Sequence, residues 1–455
     1  MKKIASLILA LALLLTASFT LAEKGGTPPQ GMGNPPSGMG TPPGGMPGGS
    51  SSSDIDYAAT VEITSQGATE GETYASDTTD VSALIVNTDA DVSITDATVT
   101  KTGDSDGGDN CNYYGLNAAV LVMGGGTVTI SGGTVESSAD GANGVFCYGG
   151  NGGSNGAAGD GTTLIISDAE ITTTGSGSGG IMTTGGGVTY AYNLTVTTSG
   201  GSSAPIRTDR GGTVLVDGGT YTSNGLGSPA IYSTADITVK NTTLISNLSE
   251  GVCIEGQNSI TLENCDLTAN NTKCNGNATF LDSIMIYQSM SGDADSGTSA
   301  FTMTGGSLTS LSGHMFHVTN THAVIKLSDV ELINSGSDVL LSVRDDGWSG
   351  ADNIAELIAD SQTLSGTILV GENSTLIMTL ENSSEFVGAI SGEIENASGS
   401  AVSTEAGTVS VTIDASSTWM LTADTFISEF NGDASSIISN GYTLYVNGEA
   451  LEGTK

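Results

Sequence analysis

VSITDATV (92–99), VTISGGTV (128–135), LIISDAEI (164–171), VLVDGGTY (214–221), ITVKNTTL (237–244) and ITLENCDL (260–267) are one eight-residue phrase written repeatedly along the chain. FTMTGGSL from Phe301 and IKLSDVEL from Ile325 extend the series. Apolar residues hold the first, third and eighth places, and a small or turn-forming pair such as Asp96-Ala97, Gly132-Gly133 or Asn264-Cys265 holds the fifth and sixth. Alternation broken by a turn pair predicts a strand, a sharp turn and another strand. With an out-of-phase copy from Val188 (VTYAYNLTV), the starts between Val92 and Ile260 lie 36, 36, 24, 26, 23 and 23 residues apart. A period in the low twenties, lengthened in places by inserted loops, is the signature of a solenoid.

A second strand precedes each phrase. It reads as a small residue followed by a triplet: Ala83 before Leu84-Ile85-Val86, Ala119 before Val120-Leu121-Val122, Gly144 before Val145-Phe146-Cys147, Gly180 before Ile181-Met182-Thr183, Ala230 before Ile231-Tyr232-Ser233 and Gly251 before Val252-Cys253-Ile254. Since strand side chains alternate between faces, the first and third of each triplet point inward and the middle one outward. The expected fold is all-β: a right-handed single-stranded parallel β-helix of about a dozen coils, three short strands per coil, stacked at roughly 4.8 Å.

The N-terminus carries Lys2-Lys3, an apolar run from Ile4 to Leu15 and Thr20-Leu21-Ala22, the pattern of a cleaved secretory signal over residues 1–22. No second apolar stretch long enough to span a bilayer follows, so no integral membrane segment is expected. Residues 23–53 hold seven of the nine prolines, with Pro-Pro doublets and Gly-Met pairs about every seven residues, and read as a flexible Pro/Gly/Met-rich linker. The methionines there leave a soft-metal tail as the alternative. Regular coils are expected over 54–346 and looser C-terminal coils with a cap over 347–455. There, LIMTLENSSEF from Leu376 and VTIDASSTW from Val411 keep the alternation but carry an extra residue before the last aromatic. Eleven Lys and Arg against 49 Asp and Glu give a net charge of −38, which excludes nucleic acid as a partner. Gly, Ser and Thr dominate, but a solenoid needs only one narrow apolar column per strand, so the phased Val, Ile and Leu suffice.

The repeated phrases, together with APIRTDRGGTV (204–214), MIYQSMSGDA (285–294), TWMLTADT (418–425) and GYTLYVNG (441–448), resemble secreted bacterial right-handed parallel β-helix proteins, the adhesin-like group within the pectin-lyase-like fold class. The resemblance covers nearly all of the chain beyond the linker. It implies an extracellular protein, secreted or loosely surface-associated, of adhesive rather than assigned enzymatic role. The right-handed sense rests on this resemblance and on the crossover rule.

Stacking the middle residues of the triplets forms a column of Ile85, Leu121, Phe146, Met182, Arg207, Tyr232, Cys253 and His317. Rings and a guanidinium are suited to grip sugars, which makes Phe146, Met182, Arg207, Tyr232 and His317 the candidate ligand-binding surface. The alternative is that inserted loops, 148–161 in particular, fold over the column. Asp209 and Arg210 join Arg207 in IRTDRGG, where they either clamp an anionic ligand or pair among themselves. Asp104, Asp106 and Asp109 in GDSDGGDN offer hard oxygens on a glycine-rich loop, a candidate Ca²⁺ site or simply a solvated acidic loop; Asp293 and Asp295 form a smaller set. His314, His317 and His322 cluster, and His317 with His322 would make a zinc or nickel pair, but the offsets place the three rings on no common side of a strand. Asp345-Asp346 follow Arg344 with no His or Lys beside them in sequence, so no catalytic residue is assigned. Of five cysteines, Cys265 occupies the small inward turn position, and disulfides Cys111–Cys147 or Cys253–Cys274 stay open. The resulting expectation is a non-catalytic binding protein for polysaccharide or cell-surface glycans. A structural matrix or envelope component is the first alternative, favoured if the column is covered, and a polysaccharide lyase or glycoside hydrolase the second.

Overall fold

The computed structural model describes residues 55–151, 158–274, 280–289, 294–348, 351–396 and 399–455. The signal and linker segments, and Asp293, lie outside them.

The chain is a parallel β-helix. The triplet strands form a 13-stranded sheet that begins with Ala58–Ile63, Val81–Asn87 and Val120–Met123 and ends with Ile390–Ser391, matching the expected dozen or so coils. Both halves of the phrase enter a 20-stranded sheet. In the early coils the halves are separate strands, as at Val92–Thr95 and Thr98–Lys101, so each coil has three. In later coils they run on through the bend as one long strand, as at Val188–Thr198 and Ser259–Ala269.

The bend has a local cause. The fifth residue of each copy adopts the left-handed conformation: Asp96, Asp168, Asn193, Asn241, Asn264 and Asp329 have φ between 50° and 55°, and Gly132, Gly218 and Gly305 take the remaining places. That region costs most L-residues, and Gly, Asn and Asp tolerate it best. At Gly132 a Cβ would lie 2.2 Å from Oδ1 of Asp96 in the preceding coil, so an Asx there would require the Asp96 carboxylate to turn aside.

One phase differs from the sequence reading. Thr189, not Val188, stands opposite Val214, so the copy begins at Thr189 and the two intervals around it become equal, 25 residues each. A buried threonine fills an apolar place because its hydroxyl shares a 2.7 Å hydrogen bond with that of Thr183.

The inward residues fuse into one continuous core running from Tyr74 to Leu444. After Asn334 the coil contracts: from the left-handed corner to the first-sheet strand there are nine residues at 330–338 but five at 362–366. The second half of the phrase accordingly leaves the large sheet and forms a four-stranded sheet of Thr363–Ser365, Glu385–Gly388, Thr418–Leu421 and Ile437–Ile438. The extra residue before Phe386 is explained by a doubled corner, Asn382-Ser383, both left-handed, whereas before Trp419 the turn is closed by the Asp414 carboxylate accepting from Ser416 and Ser417 N–H. Beyond it Phe386 and Trp419 stack in register at 5.5 Å. An antiparallel pair, Leu444–Val446 with Glu449–Ala450, follows the last parallel strands.

Candidate functional site

The column exists, in register. Ile85, Leu121, Phe146, Met182, Arg207, Tyr232, Cys253, Met285 and His317 are successive Cα partners across the first sheet, Met285 filling a place between Cys253 and His317 that the triplet pattern does not reveal. It is not an open stripe. Phe146 and Met182 are 0 % exposed, sealed with Ile85 and Leu121 under Tyr113, Tyr114 and Tyr148 in a second apolar cluster. The cover is chiefly the insertion at 102–119, with its short helix Asp109–Tyr113, and the segment at 55–57, whose Tyr57 hydroxyl donates to Tyr114 O at 2.8 Å. A third cluster seals the other end, where Cys253, Met285 and Tyr287 lie under Cys274 and Trp348. Apolar residues repeated at strand spacing make a strip that water disfavours, and the insertions remove it from water.

Between the two covers stand the candidate cations. Arg207 reaches Asp209 Oδ2 at 3.1 Å and donates to Asn112 Oδ1 at 3.3 Å, with its guanidinium 5.3 Å from the Tyr232 ring centroid. Arg210 lies 3.6 Å over the ring of Tyr113. Asp209 accepts a further 2.7 Å bond from Thr234, and the Tyr232 hydroxyl donates to Glu255 Oε2 at 2.7 Å. Of the two readings of IRTDRGG, the internal pairing is the one present: these side chains buttress the inserted segments.

His317 is buried as well, and it has a partner that sequence reasoning did not find. Its Nε2 lies 2.7 Å from Asp346 Oδ2, while Arg344 Nε donates to Asp346 Oδ1 at 2.8 Å and Arg344 also donates to Ser342 Oγ at 2.6 Å. The aspartate pair therefore does have a histidine beside it, supplied by the neighbouring coil. Burial works against the charged form of Asp346, but His317 and Arg344 outweigh it and hold the carboxyl below its ordinary range. Nearby, Asp282 pairs with His314 in register, and Glu250 precedes Asp282 in the coil stack. Burial raises both carboxyls, and repulsion from Glu250 raises Asp282 further. His314, against the Phe280 ring, is pushed down to about 3 by burial and by Arg344.

The buried, neutral His314 makes the fold sensitive to acid. The unfolded imidazole binds its proton near pH 6.5 and the folded one near 3, so stability present above 6.5 is lost as pH falls through that window. The loss is roughly 4–5 kcal/mol when fully expressed. Urea midpoints measured from pH 7 to 3 should fall more steeply for the unaltered chain than for His314→Gln; parallel curves would refute the assignment.

The remaining candidates separate. His322 sits on the other sheet, 2.7 Å from Glu356 Oε1, so it cannot share an ion with His317. Asp104 is taken up by the main-chain N–H of Asp140 at 2.9 Å, and among the described residues no three metal-ligating side chains converge, at Asp104, Asp106 and Asp109 or elsewhere. All five cysteines are free thiols, so neither disulfide left open by the sequence forms. Cys265 is inward as expected. Burial drives Cys147 up to about 12 and Cys111 and Cys265 to about 11, and only Cys274 is half-exposed. A disulfide reagent should therefore label one thiol in the native chain, none in Cys274→Ser, and five after denaturation. Two or more fast thiols would contradict the covers.

The other sheet keeps a regular face that the insertions do not cover. Just beyond the corner, Glu170, Thr195, Thr220, Thr243 and Asp266 form one exposed rank that runs on to half-buried Ser307, and Thr172, Thr197, Thr222, Ile245, Thr268 and Thr309 form a second, half-buried rank. No helix among the described residues is long and apolar enough to cross a membrane. No family model, curated protein or solved structure matches the chain.

Proposed function

We propose that the chain is a secreted or loosely surface-associated, non-catalytic, adhesin-like right-handed β-helix of the bacterial pectin-lyase-like class, which binds polysaccharide or cell-surface glycans along an outward strand face. The observation that carries this reading is the pair of threonine ranks. Neighbouring coils set hydroxyls roughly 4.8 Å apart along the stack, and alternate strand positions set them roughly 6.7 Å apart across it. Each threonine presents a hydroxyl and a methyl group, the two chemistries of a sugar ring's rim and face. A polymer lying along the stack meets the same contact at each coil, so weak single contacts combine by avidity. The charge of −38 favours neutral or cationic glycans over anionic ones.

A glycan array probed with the full chain and with Thr197→Lys/Thr222→Lys tests it. Both sites are on the solvent side of the strands, so folding should be retained. Binding by the unaltered chain and loss in the variant is the expected result; a blank array removes the reading. Sealing of the first-sheet column favours a second reading, a structural matrix or envelope component, which predicts a blank array together with self-association. The lyase or hydrolase alternative finds its acid, base and cation at Asp346, His317 and Arg344, which lie at most 3 % exposed, beyond the reach of a chain of sugars.

A further inference from the structure

The contraction of the coil after Asn334 leaves a break in the wall of the helix. Glu331–Asn334 pairs on one side with the strand of the preceding coil, but on the other it shares no ladder with Thr363–Ser365, which pairs only onward with Glu385–Gly388. The two coils rejoin where Val339 pairs with Thr367. Between them lies a cleft of about 790 Å³.

The direction of the main-chain groups in this cleft is fixed by the hydrogen bonds around it. In a parallel ladder the N–H and C=O of one residue point to one neighbour, and those of the next residue to the other. Ser335 N–H donates back to Ser310 O, which assigns the odd-numbered residues to the preceding coil. Val330 turns its groups the other way, so Leu332 and Asn334 present theirs to the cleft. The protein already places an amide where a strand would lie. The Gln362 side chain accepts from Val330 N–H at 2.7 Å and donates to Val330 O at 2.8 Å, as a peptide group would. That amide satisfies the first rung only. The next rungs, at Leu332 and Asn334, lie beyond its reach along the strand.

We propose that this cleft accepts an extended, basic peptide segment of a partner protein, which adds as a short strand against the edge of Glu331–Asn334 and continues the ladder that Gln362 begins. Three features select the occupant. The edge offers alternating donors and acceptors, which an extended backbone matches and a folded surface does not. The floor is apolar, made by Val330, Leu332 and Met315, and takes alternate apolar side chains. The rim is acidic and exposed at Asp329, Glu331 and Asp338, so the outward residues of the segment are Lys or Arg.

The test uses the full chain and a fluorescein-labelled Lys-Val-Lys-Val-Lys-Val-Lys peptide, read by fluorescence anisotropy, beside the same peptide N-methylated at the valines. Methylation keeps charge and apolar content and removes main-chain donors. The expected result is saturable binding of the first peptide, at least roughly tenfold weaker binding of the second, and a similar loss in Glu331→Lys/Asp338→Lys. Both substitutions are at exposed positions, and an unchanged circular dichroism spectrum confirms that the fold is retained. Equal affinity for the two peptides would mean charge attraction alone and would overturn the proposal, as would absence of binding or an unaffected variant. Self-association of the chain that disappears in the same variant would also overturn it, since a second copy would then own the edge. None of these outcomes depends on the glycan array.

Discussion

Asp346→Ala should lower the unfolding free energy by roughly 3–5 kcal/mol, the cost of removing one partner from a buried ionic set. Asp346 receives both the His317 ring at 2.7 Å and the Arg344 guanidinium at 2.8 Å, and the side chains involved are 1–3 % exposed. Alanine would take from Arg344, which is also held 4.0 Å over the Phe280 ring, the carboxylate that it hydrogen-bonds. Asp346→Asn keeps an acceptor oxygen and the shape of the side chain but not the charge, and should cost less than alanine. Urea denaturation of the three chains checks the order. A loss below about 1 kcal/mol for alanine, the value typical of an exposed pair, would show that the set is open to solvent and would reopen the catalytic reading.

Phe146→Ala should cost a similar amount, roughly 3–5 kcal/mol, although Phe146 points away from the helix interior. On an open stripe the ring would be exposed and its removal nearly neutral. Here the insertion at 102–119 is fitted against it: a Cβ on Gly115 would come within 2.8 Å of Phe146 Cδ1 and 2.7 Å of Leu121 Cδ1. Truncating the ring therefore opens a cavity under the insertion rather than in the main core. Hydrogen exchange distinguishes this: protection should drop at 109–121 while the amides of Val128 to Val135, on the other sheet, keep theirs. Uniform loss across both would place the ring's contribution elsewhere.

The fold could be read from the sequence because inward and outward places alternate at a fixed distance from a corner that only a few residue types can occupy. Where the reading slipped, at Val188, the inward place held a threonine, and a rule that recognises apolar residues alone cannot see a hydroxyl whose bond is made by the coil before. The column was legible for the same reason as the core, since register carries its members from coil to coil. Its cover was not. The segments that bury it, 55–57 and 102–119, have no period, and the contacts of Tyr113 and Tyr114 are set by how an irregular insertion folds back. The His317–Asp346 pair was hidden by its separation of 29 residues through a loop. The threonine ranks stood in plain view as Thr195-Val196-Thr197 and Thr220-Tyr221-Thr222, but a search directed at rings and charges passes over small hydroxylated residues.

The left-handed corner also governs where this architecture can grow. Intervals between phrases vary from 23 to 41 residues, yet the eight residues around the corner never lengthen in the regular coils, because Asx and glycine of successive coils nest against each other there. One residue added between Asn193 and Leu194 would swap wet and dry faces for the rest of that strand. Added length is instead absorbed where the chain passes between the two sheets, as at 102–119. Those junctions are natural docks for grafted peptides, and the corners are the hinges of the scaffold that engineering should leave untouched.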